Sequence, residues 1–252
     1  NGINTDIEGV VKYYNNKTAH TKPIPHIDNV QTIHNLTSAL AAAKKGRRGG
    51  PDGNADDMAR AAPRQMARLL HPIMMKMQLM TTEPISAKGG FSTHFSKGQG
   101  QLHLQKAYRG ILLNNTIGKI NSKFLRGLFR DILPDLLMAR TGSILFLDLK
   151  EAFHSVIREF IFQLPTQEDE LEDVIDNIEI PICLLPSLRQ RLRCPAHLNA
   201  HVDDSHLCAL VADHHTAHWM TAKGTDAYVI PRTSTRPGVP YSDAAFNMHF
   251  SL

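Results

Sequence analysis

The chain has 252 residues, 42% of them apolar, with 28 Lys+Arg against 24 Asp+Glu and a sequence pI near 9.0. That content excludes a disordered chain and suffices for one large domain or two small ones, and the small basic excess suits either an anionic partner or an ordinary solvated surface. Cys183, Cys194 and Cys208 are too few and too unevenly spaced for a disulfide framework, and no stretch resembles a signal peptide or a membrane span, so an intracellular, reducing setting without membrane contact is expected.

Residues 1–28 are mixed and polar, broken by Pro23 and Pro25, and read as a flank or linker. Val30, Ile33, Leu36 and Leu40 then recur at helical spacing, with Lys44 and Lys45 toward a C-terminus closed by Gly46. The next stretch, Lys44-Lys45-Gly46-Arg47-Arg48-Gly49-Gly50-Pro51-Asp52-Gly53, is either a backbone able to approach a polyanion closely or a flexible linker. Asp56 and Asp57 open an amphipathic helix through Met77, with Pro63 and Pro72 expected to break or kink it and its methionines expected as core filler.

Glycine-punctuated pieces between Thr81 and Ile117 predict a pair of strands bearing Lys97 and Arg109, which together can grip a triphosphate, one as a point charge and the other as a planar fork. A helix is expected from about Gly118, with Ile120, Phe124, Leu125, Phe129 and Ile132 as its apolar stripe and Lys119, Lys123, Arg126 and Arg130 elsewhere. The run Ile144-Leu145-Phe146-Leu147-Asp148-Leu149 carries one aspartate to the end of a strand, a position from which a carboxylate reaches a divalent cation and a phosphate. Residues 166–179 are acidic and read as a solvent-facing loop or helix face.

Taken in order with Arg232-Thr233-Ser234-Thr235-Arg236-Pro237-Gly238-Val239-Pro240 through Phe246-Asn247, these blocks resemble the reverse transcriptases of non-LTR (LINE-type) retrotransposons over roughly residues 40–252. The resemblance implies an α+β fold: the fingers and partial palm of a right-hand polymerase, with an antiparallel palm sheet packed on helices. Residues 1–45 would be an N-terminal flank and helix, 46–140 the fingers and 141–252 the palm portion. Asp148 and the carbonyl of Leu149 would hold Mg2+, Lys97 and Arg109 would bind the dNTP, and Phe153 would be the aromatic gate that excludes a 2′-hydroxyl. Arg236, Gly238 and Asn247 would lie along an RNA template and DNA primer, with work in the nucleus or the cytoplasm.

The family's second signature, an aromatic-x-Asp-Asp hairpin, is expected downstream of Leu252, and both chain ends read as cut, so the fragment alone is expected to be inactive. Pro237, Val239 and Tyr241 depart from the family pattern and suit a decayed copy. His201-Val202-Asp203-Asp204 imitates the missing hairpin but stands between the two palm motifs. Two rival readings remain open: a zinc site among Cys194, His197, His201, His206, Cys208, His214, His215 and His218, and a binding module without turnover.

Overall fold

A computed structural model describes residues 2–17, 22–46, 49–53, 56–98, 107–132, 157–162 and 182–231, and the single positions 164, 172 and 175. These residues form an α+β arrangement in which a five-stranded sheet, β1 (Gly2–Thr5), β5 (Tyr228–Pro231), β4 (Trp219–Thr221), β2 (Gly89–Ser96) and β3 (Tyr108–Asn114) in spatial order, packs with helices. Three of its pairings are antiparallel, but β2 and β4 run parallel, with Gly89 beside Trp219 and Phe91 beside Thr221. The expected antiparallel sheet is therefore mixed. A long connection between β3 and β4 permits the parallel pairing, which a tight hairpin cannot make. The strand expected at 144–149 lies outside the described residues.

Residues 1–28 are not a bare linker. Ile3 of β1 pairs with Ile230 of β5, and α1 (Ile7–Lys17) places Val10 in a cluster with Trp219 and Ile230. A four-residue edge strand carries too little pattern to be seen without its partner, which lies far along the chain. Consequently, strands from all three expected segments share one sheet.

Thr32 caps α2 (Ile33–Ala41) through a 3.1 Å hydrogen bond from the Asn35 amide, and the helix ends well before Gly46, so Lys44 and Lys45 lie beyond it. The next helix breaks at Ala62 into α3 (Asp56–Ala61) and α4 (Pro63–Leu79); α4 starts on Pro63, where the missing N–H costs nothing, and runs on through Pro72. Met74 and Met77 fill the cluster that α4 shares with Leu36, Leu40 and Ile120.

The central helix α5 (Thr116–Ile132) buries Leu125 and Phe129 against α6 (Arg158–Ile161), α8 (His197–His201) and α9 (Ser205–His215), with Ile161, Phe162, Leu198, Leu207 and Val211 completing the cluster. A short helix, α7 (Leu185–Leu192), follows a 3-10 turn at Ile182–Leu184. No helix among the described residues is long and apolar enough to cross a membrane.

Candidate functional site

The β2–β3 ladder sets the expected nucleotide grip. Phe95 faces Arg109 and Ser96 faces Tyr108, and the Lys97 amide donates to the Ala107 carbonyl at 2.8 Å, extending the ladder one rung past β2. Lys97 and Arg109 thus stand two rungs apart on opposite strands, and Lys97 is exposed. At the other end of β3, the Gly49–Gly53 loop is docked rather than free. A side chain at Gly50 would sit 2.3 Å from the Asn114 carbonyl oxygen, so only glycine fits the approach. Asp52 Oδ2 accepts the Thr116 amide at 2.8 Å, and the Asp52 amide donates to Asn115 Oδ1 at 3.0 Å. Its carboxylate therefore caps α5 from 64 residues away, where the helix dipole favours a negative charge. Gly50 thus serves packing within the chain, whereas Gly53 sits in open space at a φ of +67°. Arg47 and Arg48 lie outside the described residues.

A second junction is made by Arg158 on α6. Its guanidinium is buried and donates from Nη1 to the His215 carbonyl at 2.8 Å and from Nη2 to the Pro231 carbonyl at 2.9 Å, and Nη1 lies 2.7 Å from His218 Nδ1. Burial lowers the pKa of this group from its ordinary value. A planar fork with several donors can hold α6, the end of α9 and the end of β5 at once. Arg158 follows the Asp148 block by ten residues, and Pro231 precedes Arg236 by five. One side chain therefore links α6 to the ends of α9 and β5.

Behind these surfaces runs a buried polar seam. Gln78 Nε2 donates to Asn121 Oδ1 at 3.2 Å, Asn121 Nδ2 donates to Glu83 Oε1 at 2.9 Å, and both Glu83 oxygens lie 3.0 Å from His214 Nδ1. The Glu83 amide donates to Asp213 Oδ2 at 2.7 Å, and Lys88 Nζ pairs with the same oxygen at 3.1 Å beneath the Tyr14 ring. Desolvation raises the Asp213 pKa even though Lys88 opposes it. His206 Nε2 lies 2.9 Å from the Gln78 carbonyl while its Nδ1 receives the His26 amide, so the neutral Nε2–H tautomer satisfies both contacts. Every one of these partners is distant in sequence.

No protein-family model matches the chain, and no curated protein matches its sequence.

Much of the histidine-rich stretch is core. His206, His214, His215 and His218 are each 1% exposed, and His215 stacks on Phe162 with ring centroids 4.2 Å apart. Among the described residues, no group of three His, Cys, Asp or Glu side chains converges as metal ligands. Cys194 is exposed, whereas Cys208 is buried with its thiol pushed up to about 11 by desolvation. Within the imitation hairpin, His201 ends α8, Val202 is buried, and Asp204 caps α9 by accepting the Leu207 amide at 2.9 Å. The aspartate lookalike is thus a helix–helix junction.

Of the expected site residues, Asp148, Leu149, Phe153, Arg236, Gly238 and Asn247 lie outside the described residues, and Arg109 is described by its backbone alone. Arg158, Asp52 and the seam were not foreseen. For Arg158 a signal existed: an arginine set among Val156, Ile157, Phe160 and Ile161 interrupts an apolar run and calls for buried acceptors.

Proposed function

We propose that the chain is the fingers and partial palm of a LINE-type RNA-directed DNA polymerase. The observation that carries this reading is the Arg158 junction, which ties the segment after Asp148 to the segment before Arg236. Two motifs that must cooperate at one primer end need their connecting chains held together, and a buried guanidinium does so rigidly. The Lys97 and Arg109 rungs add cations suited to a triphosphate.

In this reading Asp148 and the Leu149 carbonyl offer hard oxygen donors, which suit Mg2+. When bound, the metal would stabilise the attacking and leaving oxygens of phosphoryl transfer. Lys97 and Arg109 neutralise the dNTP phosphates, and Phe153 closes the space a 2′-hydroxyl would need. Arg236, Gly238 and Asn247 line the RNA template and DNA primer, with Gly238 letting backbone approach a base. Work on such a template belongs in the nucleus or the cytoplasm.

Primer extension tests the proposal. A chain continued through a downstream aspartate hairpin should extend a DNA primer on an RNA template with Mg2+ and dNTPs, and Asp148→Asn should abolish extension. The 252 residues alone should not extend it. If the continued chain binds the hybrid with or without Asp148 but never extends it, a binding-only remnant is the correct description.

A further inference from the structure

Helix α4 carries apolar side chains on two faces. Ala67, Met74 and Met77 enter the cluster shared with Leu36, Leu40 and Ile120. On the outward side Leu69 is 71% exposed, Ile73 44%, Met75 40% and Leu79 37%, and Pro72, also exposed, lies among them. These positions recur at spacings of three and four, so they adjoin one another on a surface about 15 Å long from Leu69 to Leu79. Single exposed apolar residues are ordinary, but a contiguous patch marks a surface that another molecule covers. Cations stand at both ends of it: Arg64 and Arg68 in the turns before the patch and Lys76 toward its close, all exposed. Helix α4 contains no Asp or Glu, nor does α2 packed beside it, and Asp57 of α3 accepts the Gly46 amide at 3.2 Å.

We infer that the outward face of α4 docks an acidic amphipathic helix of a partner protein, whose apolar side chains cover Leu69, Ile73 and Leu79 while its carboxylates meet Arg64, Arg68 and Lys76. Two helices packed ridges into grooves approach to about 8–10 Å, close enough for side chains at i, i+3, i+4 and i+7 of the partner to fill the spaces beside Pro72. Met75, unbranched and polarizable, adapts to what lies against it. A second copy of the chain fits poorly. A two-fold contact sets the patch against itself, so Arg64, Arg68 and Lys76 would meet only cations. A bilayer also fits less well, because α4 has no Trp, Tyr or Phe to anchor at headgroup depth. A nucleic-acid strand would lay its phosphates over Leu69 and Ile73, which offer no donor. This docking is independent of the polymerase reading.

Fluorescence anisotropy with the 252-residue chain tests the face, using as probe a labelled helical peptide of roughly 18 residues with leucines at i, i+3, i+4 and i+7 and glutamates flanking them. The glutamate peptide should bind, and the same peptide with lysines in place of the glutamates should bind about tenfold more weakly or worse. Arg64→Glu with Arg68→Glu should reverse that preference, a gain of binding to the lysine peptide that a misfolded chain could not show. Leu69→Gln with Ile73→Gln should weaken the glutamate peptide by roughly tenfold or more. The urea midpoint of that pair should stay close to the parent chain's, because both side chains face solvent and glutamine suits a helix. Lys12→Glu with Lys223→Glu, at exposed positions elsewhere, should change both affinities far less. No binding of the glutamate peptide overturns the inference, as does equal affinity for the two peptides or binding that ignores the Leu69 and Ile73 pair. A dimer in sedimentation that Leu69→Gln abolishes assigns the face to a second copy, and Leu69-dependent binding to phosphatidylserine vesicles in place of the peptide assigns it to a bilayer; either result overturns the helix partner.

Discussion

Helices α5 and α9 are held together by two interiors of opposite chemistry. On one side Leu125 and Phe129 meet Leu207 and Val211 in an apolar cluster; on the other, Asn121 of α5 reaches His214 of α9 through Glu83. The apolar side tolerates any arrangement that fills its volume, whereas the polar side works only when every donor finds its acceptor. The difference teaches where specificity resides: the cluster brings the helices together, and the seam fixes how α4, the Ile85–Lys88 turn and α9 meet around α5.

The sharpest way to break this contrast is to remove one member of the seam. Glu83→Ala leaves the Asn121 amide and His214 Nδ1 without their shared carboxylate, and should cost about 3–5 kcal/mol in denaturant unfolding. Changing Glu83 and His214 together to leucine and phenylalanine removes both the carboxylate and its imidazole, and should recover much of that loss. If the double change is as damaging as the single one, the seam is not a paired unit. Next in size, Leu207→Ala in the apolar cluster should cost about 2–4 kcal/mol, with no partner substitution able to restore it except one that refills the volume.

These two interiors also differ in how far the sequence exposes them. Leu125 and Phe129 announce themselves by helical spacing, and so do the break at Pro63 and the strands flanking Lys97, whereas Leu207 and Val211 are masked by the histidines around them. Periodicity reports a side chain's burial without naming its neighbour, and apolar packing asks nothing more. A glutamate at 83 is different: its meaning depends on His214, 131 residues later, and without that contact it reads as a surface charge. The same limit hid β1, which needs β5, and left the histidines of α9 to read as candidate zinc ligands. At the candidate site, the Lys97 and Arg109 rungs were legible because strand alternation is local, whereas Arg158 depends on carbonyls at 215 and 231.

The Asp52 cap is a smaller case of the same dependence on a distant partner. Asp52→Ala removes the acceptor for the Thr116 amide and should lower stability by about 1 kcal/mol, while Asp52→Asn, which keeps an oxygen in place, should lose less. Gly50→Ala should do more harm than either, because the added methyl would press on the Asn114 carbonyl in the same junction. Urea midpoints of the three variants rank these effects. Equal and negligible shifts would show that the loop does not hold the start of α5.

The finest test uses the opposite pH signatures of two aspartates, Asp204 that caps α9 and Asp213 within it. Burial pushes the Asp204 carboxyl upward, but hydrogen bonds from Leu207, Asn29 and His206 win and hold its pKa below the ordinary value. Its contribution is therefore present above the unfolded pKa, near 3.9, and is lost as pH falls through the lower folded value. Asp213 runs the other way: desolvation raises its pKa despite Lys88, so its contribution is full below the unfolded pKa and declines as pH rises through the folded value. Asp204→Asn retains a capping oxygen, so its difference from the parent chain isolates the charge, and should amount to no more than about 1 kcal/mol at neutral pH and vanish in acid. Asp213→Asn should remove a decline in stability with rising pH, although it also takes a charge from Lys88 and so shifts the whole curve downward. Unfolding midpoints measured between acid and neutral pH separate the two. Slopes of the same sign for both variants would mean that the seam and the Asp204 cap do not differ electrostatically, and the contrast between exposed caps and buried seam would fail at that point.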